Sequence, residues 1–493
     1  MGIVIQQATQ NAVYSYTGAL LGFITVWLVN VHWLSPEQNG LISLLINVSI
    51  LTGSLSNLGM TGVTMRLFPR FRDHQSYHGY LFYPLVVSCI GFIAFTIIYI
   101  LASDNIVERN LEKSALFAQH HWYLLPLTFF WAMFNVFDAY SRSVLLSTAG
   151  VFIKEVLLRI FILVIAYAYY QGQISFEHFL ILYCGAFCSI SLILAGYLWR
   201  KDQWHIRPNT KFLTPELKSE MRKVAVFSII TGLSSLLISS IDKVIVNDML
   251  GISATGIFTV AANFGSMIQI PARSIIRIAS PVVAQSWQNN DTANIRDVYY
   301  KTCLNQFVMG LYLLAGLWVC IQPLMQLMPD VYQQGKWTIL LISLGYLIDM
   351  ATGVNGVIIA TSKYYRFDTY FMFSLVIITA ITNYWLIPIY GITGAGLACC
   401  LTYFLFNLFR YLFIWQRFGM QPYSWTYIKI LAVCGLSIAI AQWVPSFSNS
   451  YIDILIRGSL FSIPFLGMLY AFQLVPDLVQ AAKKMIKGLK STQ

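Results

Sequence analysis

Asp349 is the residue whose surroundings are most informative. It sits about midway along the apolar run WTILLISLGYLIDMATGVNGVIIA, with no basic residue downstream until Lys363. A carboxylate in hydrocarbon is costly and is placed to face a polar interior. There it is a candidate for coupling to a cation or proton, or for binding a ligand hydroxyl. The structural alternative is a protonated acid hydrogen-bonded to a neighbouring helix. Gly353, Asn355 and Gly356 just downstream loosen the helix and expose backbone. Arg66, Arg142, Arg159, Arg273 and Arg277 lie toward the ends of apolar runs, where snorkelling to the interface competes with anion binding. Glu155 precedes Arg159 by four residues, and Asp138 precedes Arg142 by the same step, the spacing of intrahelical ion pairs. Asp242 and Lys243 close another run; adjacent on a helix, they point in different directions, so gating and interfacial anchoring both stay open. Asn47, Asn57, Asn135, Asn263 and Gln269 offer amides to a cavity or to helix packing. There is no phosphate-binding glycine loop, no HExxH and no nucleophile triad. His120 and His121 read as interfacial. The eight cysteines form no CxxC pair or Cys/His ligand set. These residues predict no enzyme, no cofactor and no metal; coupling to a proton or sodium gradient stays open.

The elements that must position these groups are transmembrane helices. The chain has 493 residues, 57% hydrophobic and only 10% charged, against about 25% charged for a soluble domain. Runs of about 20 apolar residues recur from 12–33 to 454–475, and predict an all-α polytopic membrane protein of about fourteen spans. The fifth span is the weakest, because Lys154, Glu155 and Arg159 sit near its start. With the N-terminus inside, only Arg109, Lys113, Lys243, Lys336 and Arg457 fall on the outer side, out of 31 lysines and arginines. This bias places both termini in the cytoplasm. The net charge of +11 then reflects topology, and no soluble basic domain is left to bind nucleic acid. The outer loops are short, which disfavours a membrane glycosyltransferase.

The basic stretch from Arg200 to Lys223 divides six helices from eight. Thr214-Pro215-Glu216 within it marks a helix start, with a Thr cap and Pro in the first turn, and a short interfacial helix is expected there. The resulting organisation is a six-helix lobe at 1–199, a cytoplasmic linker at 200–223, a second six-helix lobe at 224–415, an extra helix pair at 416–475 and a basic cytoplasmic tail at 476–493. The tail, LVQAAKKMIKGLK, suits anionic lipid.

The halves share a pattern. Leu34-SPEQN-Gly40 and Leu250-GISAT-Gly256 each place a leucine, five residues and a glycine, and Asn47 and Asn263 follow their glycines by seven. Arg66 with Pro69 and Arg277 with Pro281 come at roughly corresponding places downstream. Both copies run outside to inside, so the repeats are parallel. Transporters built from such repeats bind substrate between halves that rock against each other.

The segments NAVYSYTGALLGFITVWLV, LSPEQNGLISLL and LGMTGVTMRLFPRF resemble the N-terminal signature of bacterial polysaccharide and O-antigen flippases, within the multidrug/oligosaccharidyl-lipid/polysaccharide exporter superfamily. SSIDKVIVNDMLGISATGIFTVAANFGSMIQIP, NGVIIATSKYYRFD and LIPIYGITGAGLACC are similar to later stretches of that family, and Asp242 falls on a recurring acidic position. The resemblance implies two pseudo-symmetric six-helix lobes in a V plus a terminal helix pair, in the inner membrane. It implies export of an undecaprenyl-diphosphate-linked oligosaccharide, with a shared basic entrance for the diphosphate at Arg66 and Arg277, and with Arg273, Arg142, Arg159, Asn47 and Asn263 as further contacts. Membrane lipids and other polysaccharide-assembly proteins are the implied partners. Lipid II flippases of the superfamily carry arginines in the first helix, whereas the first 65 residues here hold no lysine or arginine, which weighs against that branch. The competing readings are a cation-coupled drug exporter of the same superfamily and, disfavoured, a membrane glycosyltransferase.

Overall fold

A computed structural model describes residues 2–72, 76–209 and 212–475. The predicted basic tail and Lys211 lie outside the described residues. Packing divides the chain into two compact units, one ending at Thr259 and one beginning at Val260. No strand occurs among the described residues, and the predicted spans fall mostly on helix. Eight described helices are long and apolar enough to cross a membrane, or nine when one bent pair is taken together.

The first unit holds α1 (Gly2–Ile24), continued by a π-helical segment Thr25–Trp33, then α2 (Pro36–Ser56), α3 (Met60–Leu67), α4 (Phe82–Asn110), α5 (Ala115–His120) and α6 (Leu124–Ser143). Next come α7 (Ser147–Phe152), a second π segment Ile153–Leu157, α8 (Leu158–Tyr170), α9 (Phe176–Arg200) and α10 (Pro215–Leu250). The first turns of α11 (Ile252–Ser266) also belong to it. Ser35 caps α2 in a capping box with Gln38, so the polar LSPEQN signal is a helix start.

Two differences from the predicted spans bear on function. The span expected at 39–61 is broken after Ser56: Leu58 and Gly59 both take left-handed φ, 45° and 77°. A Cβ on Gly59 would collide with the backbone of Ala225, so glycine is needed both for conformation and for the close approach of α10. The interfacial helix expected before the seventh span is not separate. Thr214 does cap the start, accepting from the Leu217 amide, but nothing between Pro215 and Gly251 stops the helix. Its 36 residues rise about 54 Å, well beyond a hydrocarbon core of about 30 Å. The end carrying Lys218, Arg222 and Lys223 therefore projects out of the apolar layer.

The repeat has a physical consequence within this unit. A Cβ on Gly40 would meet the Ile252 carbonyl and lie 3.0 Å from the Gly256 nitrogen, and one on Gly256 would meet the Pro36 carbonyl. Asn39 donates to the Gly256 carbonyl at 3.1 Å, and the Ser43 and Thr259 hydroxyls are 2.9 Å apart. Gly40 matches Gly256, and Ser43 matches Thr259, each pair in register. Equivalent positions of the two copies thus touch one another, through small residues that let helix backbones close up.

The second unit contains the rest of α11, α12 (Ile270–Gln288), α13 (Thr292–Val319), α14 (Ile321–Gln326), α15 (Lys336–Ala351), α16 (Asn355–Thr361), α17 (Tyr365–Phe418), α18 (Trp425–Gln442) and α19 (Ser450–Ala471). A 3₁₀ turn at Met267–Gln269 breaks the chain just before Pro271, where a proline-linked kink is expected. Two predicted spans, 367–388 and 391–415, form α17. Gly391 (φ 58°, ψ −137°) reverses it, and Thr382 meets Thr402 across the turn at 3.1 Å. That backbone conformation is essentially reserved for glycine.

Candidate functional site

In the first unit, the break between α2 and α3 opens a cavity of about 210 Å³. Ser54, Asn57, Thr61, Asn135 and Ser228 bring polar side chains to its wall, and Gly59, Gly62 and Gly232 line it too. Asn135 and Trp131 both donate to the Ser54 hydroxyl, at 3.3 and 3.2 Å. The Asn57 side-chain oxygen accepts from Ser88 at 2.6 Å, while its buried amide nitrogen has no partner among the described residues. A buried donor without a partner costs about 1–3 kcal/mol. Sequence reading named Asn57 and Asn135 as possible lining, and both are there. It did not find Ser54 or Ser228, whose small hydroxyls are indistinguishable from packing residues.

No lysine or arginine is among the residues that line this cavity. Arg66 is exposed on α3, one turn beyond Gly62, and no carboxylate pairs with it among the described residues. Arg142 is bound to Asp138 at 2.9 Å, and Arg159 to Glu155 at 2.9 Å, so both predicted intrahelical pairs form. A Cβ on Gly18 would lie 2.8 Å from the Glu155 Cβ, and one on Gly22 would strike the Arg159 guanidinium. The Gly18/Gly22 pair on α1 thus lets the ion pair approach its backbone. The second π segment, which includes Lys154 and Glu155, occupies the weak start of the fifth span; Lys154 sits 5.4 Å from the Trp131 ring. Such segments often mark functional sites. Asn47 is half-buried and donates to the carbonyl of Ser43 at 2.7 Å, and Asp242 is half-buried on α10. His121 is buried, its Nδ1 lying 2.9 Å from the Tyr99 hydroxyl.

The second unit contains the acid network. Asp349 ends α15, where Gly353 (φ 58°) and a 48° bend separate it from α16. Gln269 donates to one carboxylate oxygen at 2.9 Å and Asn407 to the other at 3.0 Å. The Asn407 carbonyl oxygen in turn accepts from Thr352 at 2.8 Å and Asn355 at 3.0 Å. One helix turn on, buried Arg410 is paired with Asp368, stacks on Phe406 with its guanidinium 4.2 Å from the ring centroid, and faces Gly356, where a Cβ would come within 2.8 Å. The arrangement ties a carboxylate to amide donors and sets a fixed cation nearby. Asn407, Arg410 and Asp368 were missed in the sequence. Arg410 within FLFNLFRYLF was the available signal, since a charge in an apolar run calls for a partner. Arg273 and Arg277 are both exposed on α12, four residues apart and hence on one face, and Asn263 is half-buried on α11.

Residues 4–287 match the profile of the polysaccharide biosynthesis protein family. The chain belongs to that family. Among solved structures, the lipid II flippase MurJ in an inward closed conformation is similar with a TM-score of 0.73 and 13% identity, over 94% of this chain and 99% of that one. An inward-facing multidrug resistance MATE family transporter of the MOP superfamily matches with a TM-score of 0.64 and 14% identity, over 83% of this chain and 94% of that one. At these identities the likeness shows the fold, which is shared by MurJ and MATE transporters. No curated protein sequence matches the chain. This polysaccharide biosynthesis protein is a multi-pass membrane protein with the fold of MurJ and MATE transporters.

Proposed function

We propose that this protein moves a lipid-linked oligosaccharide, carried on a polyprenyl diphosphate, from the inner to the outer leaflet of the cytoplasmic membrane. Lobes 1–199 and 224–415 alternate access, the helix pair 416–475 stands beside them, and both termini lie in the cytoplasm. The observation that carries the reading is the cavity at the α2–α3 break. It sets hydroxyls and amides in an apolar bundle, with an unpartnered Asn57 amide and exposed Arg66 one turn away. That is the chemistry of a sugar next to a phosphate: neutral donors and acceptors for hydroxyl groups, and a cation for the anionic linkage. The family match supports the same direction.

Asn135→Leu tests it. Leucine is of similar size but removes the amide that reaches Ser54 and turns one wall of the cavity apolar. Export of the precursor should fall about tenfold, the cost of one or two lost polar contacts, with protein abundance unchanged. Unchanged export from an equally abundant variant would take the cavity out of the substrate path. The second reading, a cation-coupled exporter of small molecules, is favoured by the Asp349 network, which suits ion or proton coupling whatever the cargo. In that case Asn135→Leu would leave precursor export intact and alter drug resistance instead.

A further inference from the structure

On the other side of the α2–α3 break lies a second opening, of different chemistry. Its volume is about 390 Å³. Leu58, Val87, Leu213, Met221 and Tyr83 form an almost wholly apolar wall, and Lys218 and Arg222 join it from α10. These two cations are four residues apart, on one face of the end of α10 that projects beyond the apolar layer, and both are exposed. Neither has a carboxylate partner among the described residues; Glu220 between them is held by Arg70, at 2.6 and 3.1 Å. The Tyr83 hydroxyl is buried and has no hydrogen-bond partner among the described residues.

An apolar groove with a cationic rim matches an amphiphile with one hydrocarbon chain and an anionic head. We propose that this groove is a binding site for an anionic glycerophospholipid of the adjoining leaflet. One acyl chain lies against Leu58, Val87 and Met221, and the phosphate meets Lys218 and Arg222. The size agrees. At about 30 Å³ per water-sized group, the groove takes about a dozen chain carbons, most of one acyl chain and far less than a polyprenyl carrier. The groove is also separate from the polar cavity: Leu58 and Met60 face the groove, whereas Asn57 and Thr61 face the cavity. Bound there, the lipid wedges the base of α10 against the α2–α3 break. The inference does not depend on what is transported, because its test reads lipid retention.

The test is native mass spectrometry of the purified full chain with equimolar phosphatidylglycerol and phosphatidylcholine of identical acyl chains. The wild type should retain one phosphatidylglycerol in preference, by about 25-fold, since each cation at a membrane surface contributes about fivefold. Lys218→Ala/Arg222→Ala should bring the preference close to one. Val87→Trp should lower retention of both lipids by filling the groove. Equal retention of the two lipids by the wild type would overturn the proposal. So would an unchanged preference in the double variant. A polyprenyl phosphate that displaces phosphatidylglycerol at equal concentration would assign the groove to the carrier and overturn it as well.

Discussion

The Arg66→Ala/Arg277→Ala protein should insert normally and export no precursor above background. Both arginines are exposed on their helices, so neither contributes packing whose loss would unfold the chain. A hydrogen bond to a charged group is worth about 1.5–3 kcal/mol, so each single change should lower export by about one to two orders of magnitude. Lysine separates binding from topology. It satisfies the positive-inside bias fully, but offers a point charge in place of the planar fork that grips two phosphate oxygens. Arg66→Lys and Arg277→Lys should therefore restore export only in part. Full rescue by lysine, or wild-type export from the double alanine variant, would leave both arginines as topology signals. Outer-leaflet precursor in membrane vesicles is the measurement, with abundance and orientation checked in each variant.

Asp349→Asn should cut transport at least tenfold while leaving the protein as abundant as before. The amide keeps the size of the carboxylate and still accepts from Gln269 or Asn407, which now reach Asp349 at 2.9 and 3.0 Å. One of those donors loses its acceptor, at a cost of about 1–3 kcal/mol, but removal of a mid-membrane charge offsets it. What disappears is the group that can gain and lose a cation. Asp368→Asn makes the contrast. It leaves the buried Arg410 guanidinium without its carboxylate, and breaking a buried pair costs about 3–5 kcal/mol. The expected result there is loss of folded protein. Normal, still gradient-dependent transport by Asp349→Asn would remove Asp349 from the mechanism and leave it a packing acid.

These two acids show what sequence reading reached. Asp349 stood out because a carboxylate amid WTILLISLGYLI has no solvent to balance it. Its pairing did not, because Gln269, named only as an amide for a cavity or for packing, and Asn407, not named at all, come from distant segments. Ion pairs at four-residue spacing, Glu155–Arg159 and Asp138–Arg142, were legible, because helix geometry alone brings them together. The repeat was legible as spacing, but spacing did not reveal that Gly40 would face Gly256, a matter of how closely two backbones approach. The break at Leu58–Gly59 was hidden within a run apolar enough to read as one span. Periodicity and hydropathy report what a residue is dissolved in, and the cavity depends on a local backbone turn that neither records. The unbroken α10 was hidden for the opposite reason: its polar start looks like a linker although nothing in it stops a helix.

The central claim is tested most directly by reconstituting the purified protein into liposomes that contain a polyprenyl-diphosphate-linked oligosaccharide. A membrane-impermeant glycosidase added outside reports how much sugar has reached the outer leaflet. The account predicts that inner-leaflet precursor becomes accessible over time with the wild type, and stays protected with Arg66→Ala/Arg277→Ala and in protein-free liposomes. Precursor that stays as protected with the wild type as in protein-free liposomes, while the same vesicles transport a cationic dye, would contradict it.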